Sequence, residues 1–190
     1  MTLNIASSAE MIPFKFISLP LVGQATFYTC GVAVLQSILF YNGIECRQDV
    51  LELAVGSSPT SGTGIKAMCQ FLNDKGIKSE LRENLTLRDV KESIDRRRVV
   101  VCLMQAWNDE PGHDYTDSWG DGHYVTAVGY DNERVYFMDP YNIANYAYVG
   151  SRDFLSRWHG INQGVKYINA GIIVTNPNPV YKPGVFTHMP

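Results

Sequence analysis

The sequence is poor in charge and has no extended basic run. Charged side chains make up 18% of its 190 residues, and the formal net charge is −3. Nucleic-acid binding requires Lys and Arg side chains clustered against the phosphates. The one basic cluster, three arginines at 96–98, fits the end of a helix, where positive charge complements the helix dipole. We therefore expect no nucleic-acid partner.

The sequence also lacks a long apolar run, and a membrane-spanning helix needs about 20 consecutive apolar residues. Its first residues, MTLNIASSAEMIPFKF, have neither the basic start nor the long apolar stretch of a secretory signal peptide. We therefore expect a cytoplasmic protein without a membrane partner, although export routes that cleave no signal leave little trace in a sequence.

Cysteine is scarce, and its spacing excludes common metal and redox motifs. The chain has four cysteines, at 30, 46, 69 and 102, and none forms a C-x-x-C pair. This excludes a zinc knuckle and a thioredoxin-type motif, and reduced thiols in a cytosolic protein are the simpler interpretation.

The loop at 107–121 is rich in carboxylates, but their spacing does not match an EF-hand. We expect no metal and no cofactor.

The hydrophobic pattern is helical in the first half of the chain and strand-like in the second. It predicts a nearly all-apolar central helix at 30–42, with Gly43 as its stop. The other predicted helices are at about 47–55, 64–75 and 87–97, where Thr63 and Thr86 are the N-caps of the last two, and at 151–159 after a Ser151 cap. Strands are predicted at 77–82, 99–106, 123–130, 134–139, 145–149 and 170–175.

This order of elements predicts an α+β fold, in which N-terminal helices around the central helix pack on a C-terminal antiparallel sheet. A chain of this length suits one domain, which we expect to span 1–190. Within it, we expect 1–19 to form an irregular N-terminal extension and 176–190 a proline-rich tail that is extended or loose.

Two polar residues flank the apolar strands of a predicted hairpin. His123 begins one strand, Asp139 ends the next, and the turn lies midway, near Asp131. Residues equidistant from the turn of an antiparallel hairpin face each other, so we expect His123 and Asp139 to lie within a position or two of one another. A carboxylate there can hold the imidazole in one tautomer and stabilise its protonated form.

Cys30 stands at the first turn of the central helix, where the helix dipole favours a thiolate. If this turn lies against the open end of the hairpin, Cys30 and His123 form a nucleophile–base pair. The Gln24 side-chain amide and the Cys30 backbone N–H would then stabilise an oxyanion. Gly31 would leave space for a substrate chain close to the backbone. Because a lone cysteine is more often a small buried hydrophobe, this interpretation depends on the whole set.

Three motifs carry a resemblance to a known family. Gln24 precedes Cys30 and Gly31 at the helix start, DGHYV follows at 121–125, and YFMDP at 136–140. Together they resemble the papain-like cysteine peptidases related to the double-glycine leader peptidases, and FLSRWH at 154–159 is similar to bacterial members. The resemblance covers roughly residues 20–175, which is most of the chain.

The resemblance implies a papain-like fold and a cysteine-dependent hydrolase that cleaves a peptide or amide bond. Its substrate would be a peptide or a protein. The matching positions imply Cys30 as nucleophile, His123 as base, Asp139 as the residue that orients it, and Gln24 as oxyanion donor. Gly122, next to the base, is expected to contribute to substrate binding.

The sequence leaves open the substrate, and whether an acyl group formed on Cys30 passes to water or to another acceptor. Thr29 and Val32 depart from the family, where an acidic residue and a proline are common beside the cysteine. The loop at 107–121 is expected to form a solvated lid, with Trp107 and Trp119 lining a substrate cleft. An acyltransferase or transamidase with the same triad is one alternative. A non-catalytic peptide-binding module, with an unactivated Cys30, is the other.

Overall fold

An antiparallel sheet forms the framework of the protein. The computed structural model describes residues 14–108, 110, 112–175, 179–186 and 188. Its strands in chain order are β1 (Lys15–Phe16), β2 (Ser79–Arg82), β3 (Val99–Gln105), β4 (Gly122–Tyr130), β5 (Arg134–Met138), β6 (Ala147–Gly150), β7 (His159–Asn162), β8 (Val165–Ile168) and β9 (Gly171–Val174). The sheet order is β2-β9-β3-β4-β5-β6, with β1 on β4, while β7 and β8 pair as a separate hairpin.

Helices pack against this sheet around one central helix. They are α1 (Cys30–Tyr41), α2 (Gln48–Ala54), α3 (Ile65–Asp74), α4 (Leu87–Asp95) and α5 (Ser151–Arg157). Helix α1 is buried along almost its whole length and packs on β4, α2 and α3. The predicted α+β arrangement, with the cysteine helix at the centre and an antiparallel sheet after it, is confirmed.

Local signals fix several helix ends. Gly43 has a φ of 75° just beyond α1, and its N–H donates to the Phe40 carbonyl at 3.0 Å; this left-handed conformation suits glycine. Thr86 forms the predicted cap of α4, in a capping box with Asp89. The predicted caps Thr63 and Ser151 are wrong by one position, because Gly64 and Gly150 occupy the N-cap sites.

The chain ahead of α1 belongs to the fold rather than to an irregular extension. Lys15 and Phe16 pair with Tyr130 and Gly129 of β4. Beyond them, Ile17 and Leu19 are buried in the core. The prediction of an irregular segment is therefore wrong for Lys15–Phe16, which form a strand. Residues 17–19 have no regular secondary structure but are anchored by Ile17 and Leu19, and 1–13 lie outside the described residues.

The described part of the tail lies against the end of α1. The backbone N–H groups of Val180 and Tyr181 donate to the Tyr41 carbonyl at 3.0 and 3.2 Å. This segment is therefore attached to the domain at that point, and 176–178, 187 and 189–190 lie outside the described residues. None of the helices in the described ranges has the length and apolar character needed to cross a lipid bilayer.

Candidate active site

Cys30 is the first residue of α1 and is only 8% exposed. The turn before it is held by Thr29, whose hydroxyl oxygen accepts a hydrogen bond from the Thr26 N–H at 2.9 Å. The Thr29 carbonyl then accepts the first helical hydrogen bond, from the Ala33 N–H at 2.9 Å. The thiol is thus fixed at the positive end of a buried helix, where a thiolate is favoured.

His123 and Asp139 meet at the open end of the β4–β5 hairpin, as the spacing predicts. His123 Nε2 and Asp139 Oδ1 are 2.7 Å apart, and both side chains are largely buried. The carboxylate also accepts hydrogen bonds from the Tyr141 N–H at 2.9 Å and the Asn142 side-chain amide at 2.7 Å. Asp139 is therefore held in place and in turn fixes the orientation of the imidazole ring.

His123 acts on the Cys30 thiol, because its charge and a side-chain hydrogen bond lower the pKa of Cys30. Since Nε2 of the ring is bonded to Asp139, Nδ1 is the nitrogen left for the sulfur. The structure therefore brings His123 and Asp139 together at the open end of the hairpin, and His123 influences the thiol at the start of α1.

The electrostatic surroundings of Cys30 and His123 favour a thiolate beside an imidazolium. Burial raises the pKa of Cys30, but the hydrogen bond and charge of His123 lower it, and the pKa lies below its ordinary value. Burial lowers the pKa of His123, but its bonds to Asp139 and Cys30 raise it to about 9. Burial raises the pKa of Asp139, but the hydrogen bond and charge of His123 and the bonds from Tyr141 and Asn142 together leave it below its ordinary value. Backbone hydrogen bonds from Tyr124 and Gly31 also lower the pKa of Cys30.

Gln24 lies in the loop that precedes α1. Its backbone N–H donates to the Pro140 carbonyl at 3.0 Å, which joins this loop to the end of the β4–β5 hairpin beside Asp139. Its side-chain Nε2 donates to the Thr26 carbonyl at 2.8 Å. Its buried Oε1 has no hydrogen-bond partner within the described part of the protein. One hydrogen of the NH₂ group is thus used within the loop, and the second is not.

A cleft of about 320 Å³ opens next to Cys30. Its walls come from the loops before α1 and α3, from β3, from the start of β4 and from the β7–β8 hairpin. They include Tyr28, Ser61, Thr63, Leu103, Gly122, Tyr124, Ile161 and Asn162. Gly122, a predicted substrate-binding residue, lies in the wall of this cleft. No Asp, Glu, Lys or Arg is among the described residues that line it.

Gly31 has a different role from the predicted one. A Cβ atom there would lie 2.7 Å from Thr63 Cβ and 3.0 Å from Met68 Sδ. The space beside its backbone is thus filled by protein and is not open to a substrate chain. The lack of a side chain lets α1 pack tightly against the loop that precedes α3.

Trp107 and Trp119 do not line the cleft beside Cys30, which corrects the prediction. The Trp107 ring lies edge-on to His123, with centroids 4.8 Å apart, and its backbone has a φ of 70°. Trp119 instead lies 4.4 Å from the ring of His159. Trp107 covers the imidazole, and Trp119 packs away from it. Asp109 of the acidic loop lies outside the described residues.

The sequence gives no signal for the residues that shape the far wall of the cleft. Asn162 accepts a hydrogen bond from the Ile65 N–H at 2.9 Å and donates to the Thr63 carbonyl at 2.9 Å. The Tyr124 hydroxyl donates to the same carbonyl at 3.1 Å. These partners are 61 to 99 residues apart in the chain, so only the folded sheet brings them together.

Cys69 and Cys102 differ from Cys30 in their surroundings. Cys102 is fully buried, and burial raises the pKa of its thiol. Burial also raises the pKa of Cys69. All four cysteines are unpaired thiols; the pKa of Cys30 is lowered, whereas those of Cys69 and Cys102 are raised.

Residues 16–165, more than half of the chain, match the Peptidase_C39 like family. No curated protein matches the sequence.

The structure is similar to solved C39 peptidase domains. A C39-like peptidase from Bacillus anthracis has 18% identity and a TM-score of 0.63, over 85% of this chain and 98% of that one. The peptidase domain of Streptococcus ComA, a bifunctional ABC transporter, has 15% identity and a TM-score of 0.58, over 84% and 100%. The double glycine motif protease of an AMS/PCAT transporter has 12% identity and a TM-score of 0.55, over 85% and 94%. These likenesses confirm the predicted papain-like fold.

Proposed function

We propose that this chain, which belongs to the Peptidase_C39 like family, is a cysteine peptidase that cleaves a peptide or amide bond with Cys30, His123 and Asp139. The observation that carries the proposal is the 2.7 Å bond between the buried His123 and Asp139. It is joined by the influence of His123 on Cys30, the first residue of the buried helix α1, whose pKa His123 lowers. The opposite pKa directions of Cys30 and His123 are those that a thiolate–imidazolium pair requires.

The first half of the proposed reaction forms an acyl-enzyme. The Cys30 thiolate attacks the carbonyl carbon of the scissile bond, an S–C bond forms, and the carbonyl oxygen becomes an oxyanion. The Cys30 backbone N–H and the Gln24 side-chain amide donate hydrogen bonds to it. As the oxyanion collapses, the C–N bond breaks, and the imidazolium of His123 gives its proton to the leaving amine.

The second half releases the acyl group to water. His123, now neutral, takes a proton from a water molecule, whose oxygen attacks the thioester. The S–C bond breaks, the carboxylic acid product leaves, and the thiolate–imidazolium pair is restored. Asp139 stays ionised throughout, because its role is to hold the ring and stabilise its positive charge.

A peptide or protein is the proposed substrate. The double glycine motif protease with a similar fold has been solved in complex with its leader peptide, which supports a peptide as the ligand class. The uncharged lining of the cleft next to Cys30 suits a neutral segment of such a peptide. We further propose that the chain forms a single domain. We also propose a cytoplasmic setting, which the unpaired cysteines support.

A peptide-library digestion tests the proposal. The parent protein is incubated with a diverse peptide mixture, new termini are identified by mass spectrometry, and the digestion is repeated with Cys30→Ala. Cleavage by the parent that Cys30→Ala abolishes supports the proposal. Cys46→Ala is the matched control, because Cys46 lies outside the thiol–imidazole chain, and it should cleave like the parent. Cleavage that persists in Cys30→Ala, or no cleavage by the parent, would overturn the proposal.

A further inference from the structure

Gln48, the first residue of α2, is hydrogen-bonded to the backbone on both sides of Gln24. Its Oε1 accepts a hydrogen bond from the Ala25 N–H at 3.0 Å. Its Nε2 donates to the Gly23 carbonyl at 2.7 Å. The two bonds hold the peptide units immediately before and after Gln24. We propose that Gln48 is a positioning residue for the oxyanion donor Gln24, an inference that rests on the proposed peptidase function.

The same side chain also connects this loop to the helix that carries the nucleophile. Gln48 Nε2 donates its second hydrogen to Gln36 Oε1 at 3.0 Å, and Gln36 lies in α1. Gln36 in turn donates to the Cys46 carbonyl at 2.6 Å, in the segment that leads to α2. Gln48 therefore uses both amide hydrogens and its oxygen to join three segments.

This connection sets the distance between the two proposed oxyanion donors. One donor, the Cys30 N–H, moves with α1, and the other, the Gln24 amide, moves with the loop. An oxyanion hole needs both donors within hydrogen-bond distance of one oxygen position, so their relative placement has to be fixed. Gln48 is hydrogen-bonded both to the loop and to α1, and it therefore fixes the Gln24 amide relative to the Cys30 N–H.

The loop is held from its other side by the hairpin that carries the base. The Gln24 N–H donates to the Pro140 carbonyl at 3.0 Å, and Pro140 follows Asp139 directly. The Gln24 side chain is oriented by its bond to the Thr26 carbonyl at 2.8 Å. Gln48 adds a separate restraint, at the peptide units on either side of Gln24.

Gln48→Met tests the inference because methionine has a similar length and cannot form these hydrogen bonds. We expect kcat for a cleaved peptide to fall about ten- to a hundredfold, with little change in KM, since misplacing one oxyanion donor weakens only the transition state. Alkylation of Cys30 by iodoacetamide forms no oxyanion, so its rate should not change. Gln70→Met is the matched control, because Gln70 is an exposed helical glutamine bonded to Asp74, and it should behave like the parent.

A double-mutant cycle distinguishes a positioning role from a general structural one. In a Gln24→Ala background, Gln48→Met should cause no further loss of kcat, because the residue through which it acts is already gone. An equal loss in both backgrounds would overturn the inference, as would an unchanged kcat in Gln48→Met. If Gln48→Met does not fold, Gln48→Glu serves instead. It retains an acceptor for the Ala25 N–H, loses both donated bonds, and is expected to give the same pattern.

Different experimental results would contradict this inference and the proposed function. If Cys30→Ala abolishes cleavage and Gln24→Ala leaves kcat unchanged, the oxyanion roles of Gln24 and Gln48 are both wrong and the peptidase proposal stands. If Cys30→Ala leaves cleavage intact, the peptidase proposal itself is wrong, and the role of Gln48 falls with it.

Discussion

The charge on a single residue, His123, governs the chemistry of the proposed site. Its pKa is about 9, because its bonds to Asp139 and Cys30 outweigh burial, whereas the pKa of Cys30 lies below its ordinary value. Between these two values the pair is a thiolate and an imidazolium. Above about pH 9 the ring loses its proton, and at low pH the thiolate gains one. The two groups titrate as a coupled pair, so both limbs of a pH profile belong to the pair.

Removing the charge on Asp139 should lower the upper limit of the pH range in which Cys30 is a thiolate and His123 an imidazolium. In Asp139→Asn, the amide oxygen still accepts a hydrogen bond from the ring, but no negative charge stabilises the imidazolium. We expect the alkaline limb of kcat/KM to move down by about one pH unit or more, since an adjacent opposite charge shifts a pKa by roughly 1–3 units. Asp114→Asn, in an exposed loop, should leave the profile unchanged. A profile that Asp139→Asn does not move would contradict the role of Asp139.

Gly31→Ala should destabilise the protein, because the new Cβ would lie within 3.0 Å of both Thr63 and Met68. Forcing an extra carbon into a packed core costs about 1–3 kcal/mol, which urea denaturation measures. Gly120→Ala is the matched control, since a Cβ there has no neighbour within 4 Å. Equal stabilities of the two variants would show that the contact between α1 and Thr63 is not tight.

At the scale of elements, the sequence predicts what depends on local signals. The apolar run ending at Gly43 marks α1, and Thr86 marks α4. The β4–β5 hairpin follows from two β-rich runs around a short turn, and it brings His123 and Asp139 together. Each of these features depends on residues close in the chain, where periodicity, capping and turn chemistry decide the outcome.

Elements that depend on distant pairing could not be predicted in the same way. β1 has only two residues and exists because it pairs with β4, more than 100 residues later. β9 lies between β2 and β3 in the sheet, although it is the last strand in the described chain. The contact of Asn162 with Thr63 depends on that same folding of distant segments. The sequence suggested the Cys30–His123 contact only through the resemblance and a conditional argument about packing.

The capping box of α4 provides a test at this scale. Thr86→Ala removes a side chain that accepts from the Asp89 N–H at 3.2 Å, and loss of an N-cap typically costs about 1 kcal/mol. Urea denaturation should show this loss, while the alkylation rate of Cys30 stays constant. Thr60→Ala, in an exposed loop, should change stability much less. An unchanged stability in Thr86→Ala would mean that the cap is replaced by water.

At the scale of the whole molecule, one hydrophobic core joins the segment ahead of α1 to the sheet and helices. It includes Ile17 and Leu19 near one end of the described chain and Val174 near the other. The loop that carries Gln24 starts directly after this anchored segment. The early chain therefore serves the site by fixing one end of that loop.

Leu19→Ala tests whether this early segment is part of the core. Leu19 has no exposed surface, so truncation to alanine should cost about 2–5 kcal/mol. Leu21→Ala is the matched control, because Leu21 is 37% exposed and should lose much less. Chemical denaturation of both variants measures the difference, and equal losses would contradict the assignment of residues 14–19 to the fold.

The central claim is that Cys30 is a thiolate activated by His123, and alkylation against pH tests it most directly. Iodoacetamide rates are measured for each cysteine by peptide mapping, in the parent and in His123→Ala. The account predicts that Cys30 reacts with an apparent pKa well below the ordinary thiol value of about 8.5. In His123→Ala that pKa should rise, because the hydrogen bond and charge of His123 that oppose the effect of burial are lost. The account would be contradicted if Cys30 reacts no faster at neutral pH than Cys69, or if the apparent pKa of Cys30 is the same in His123→Ala as in the parent.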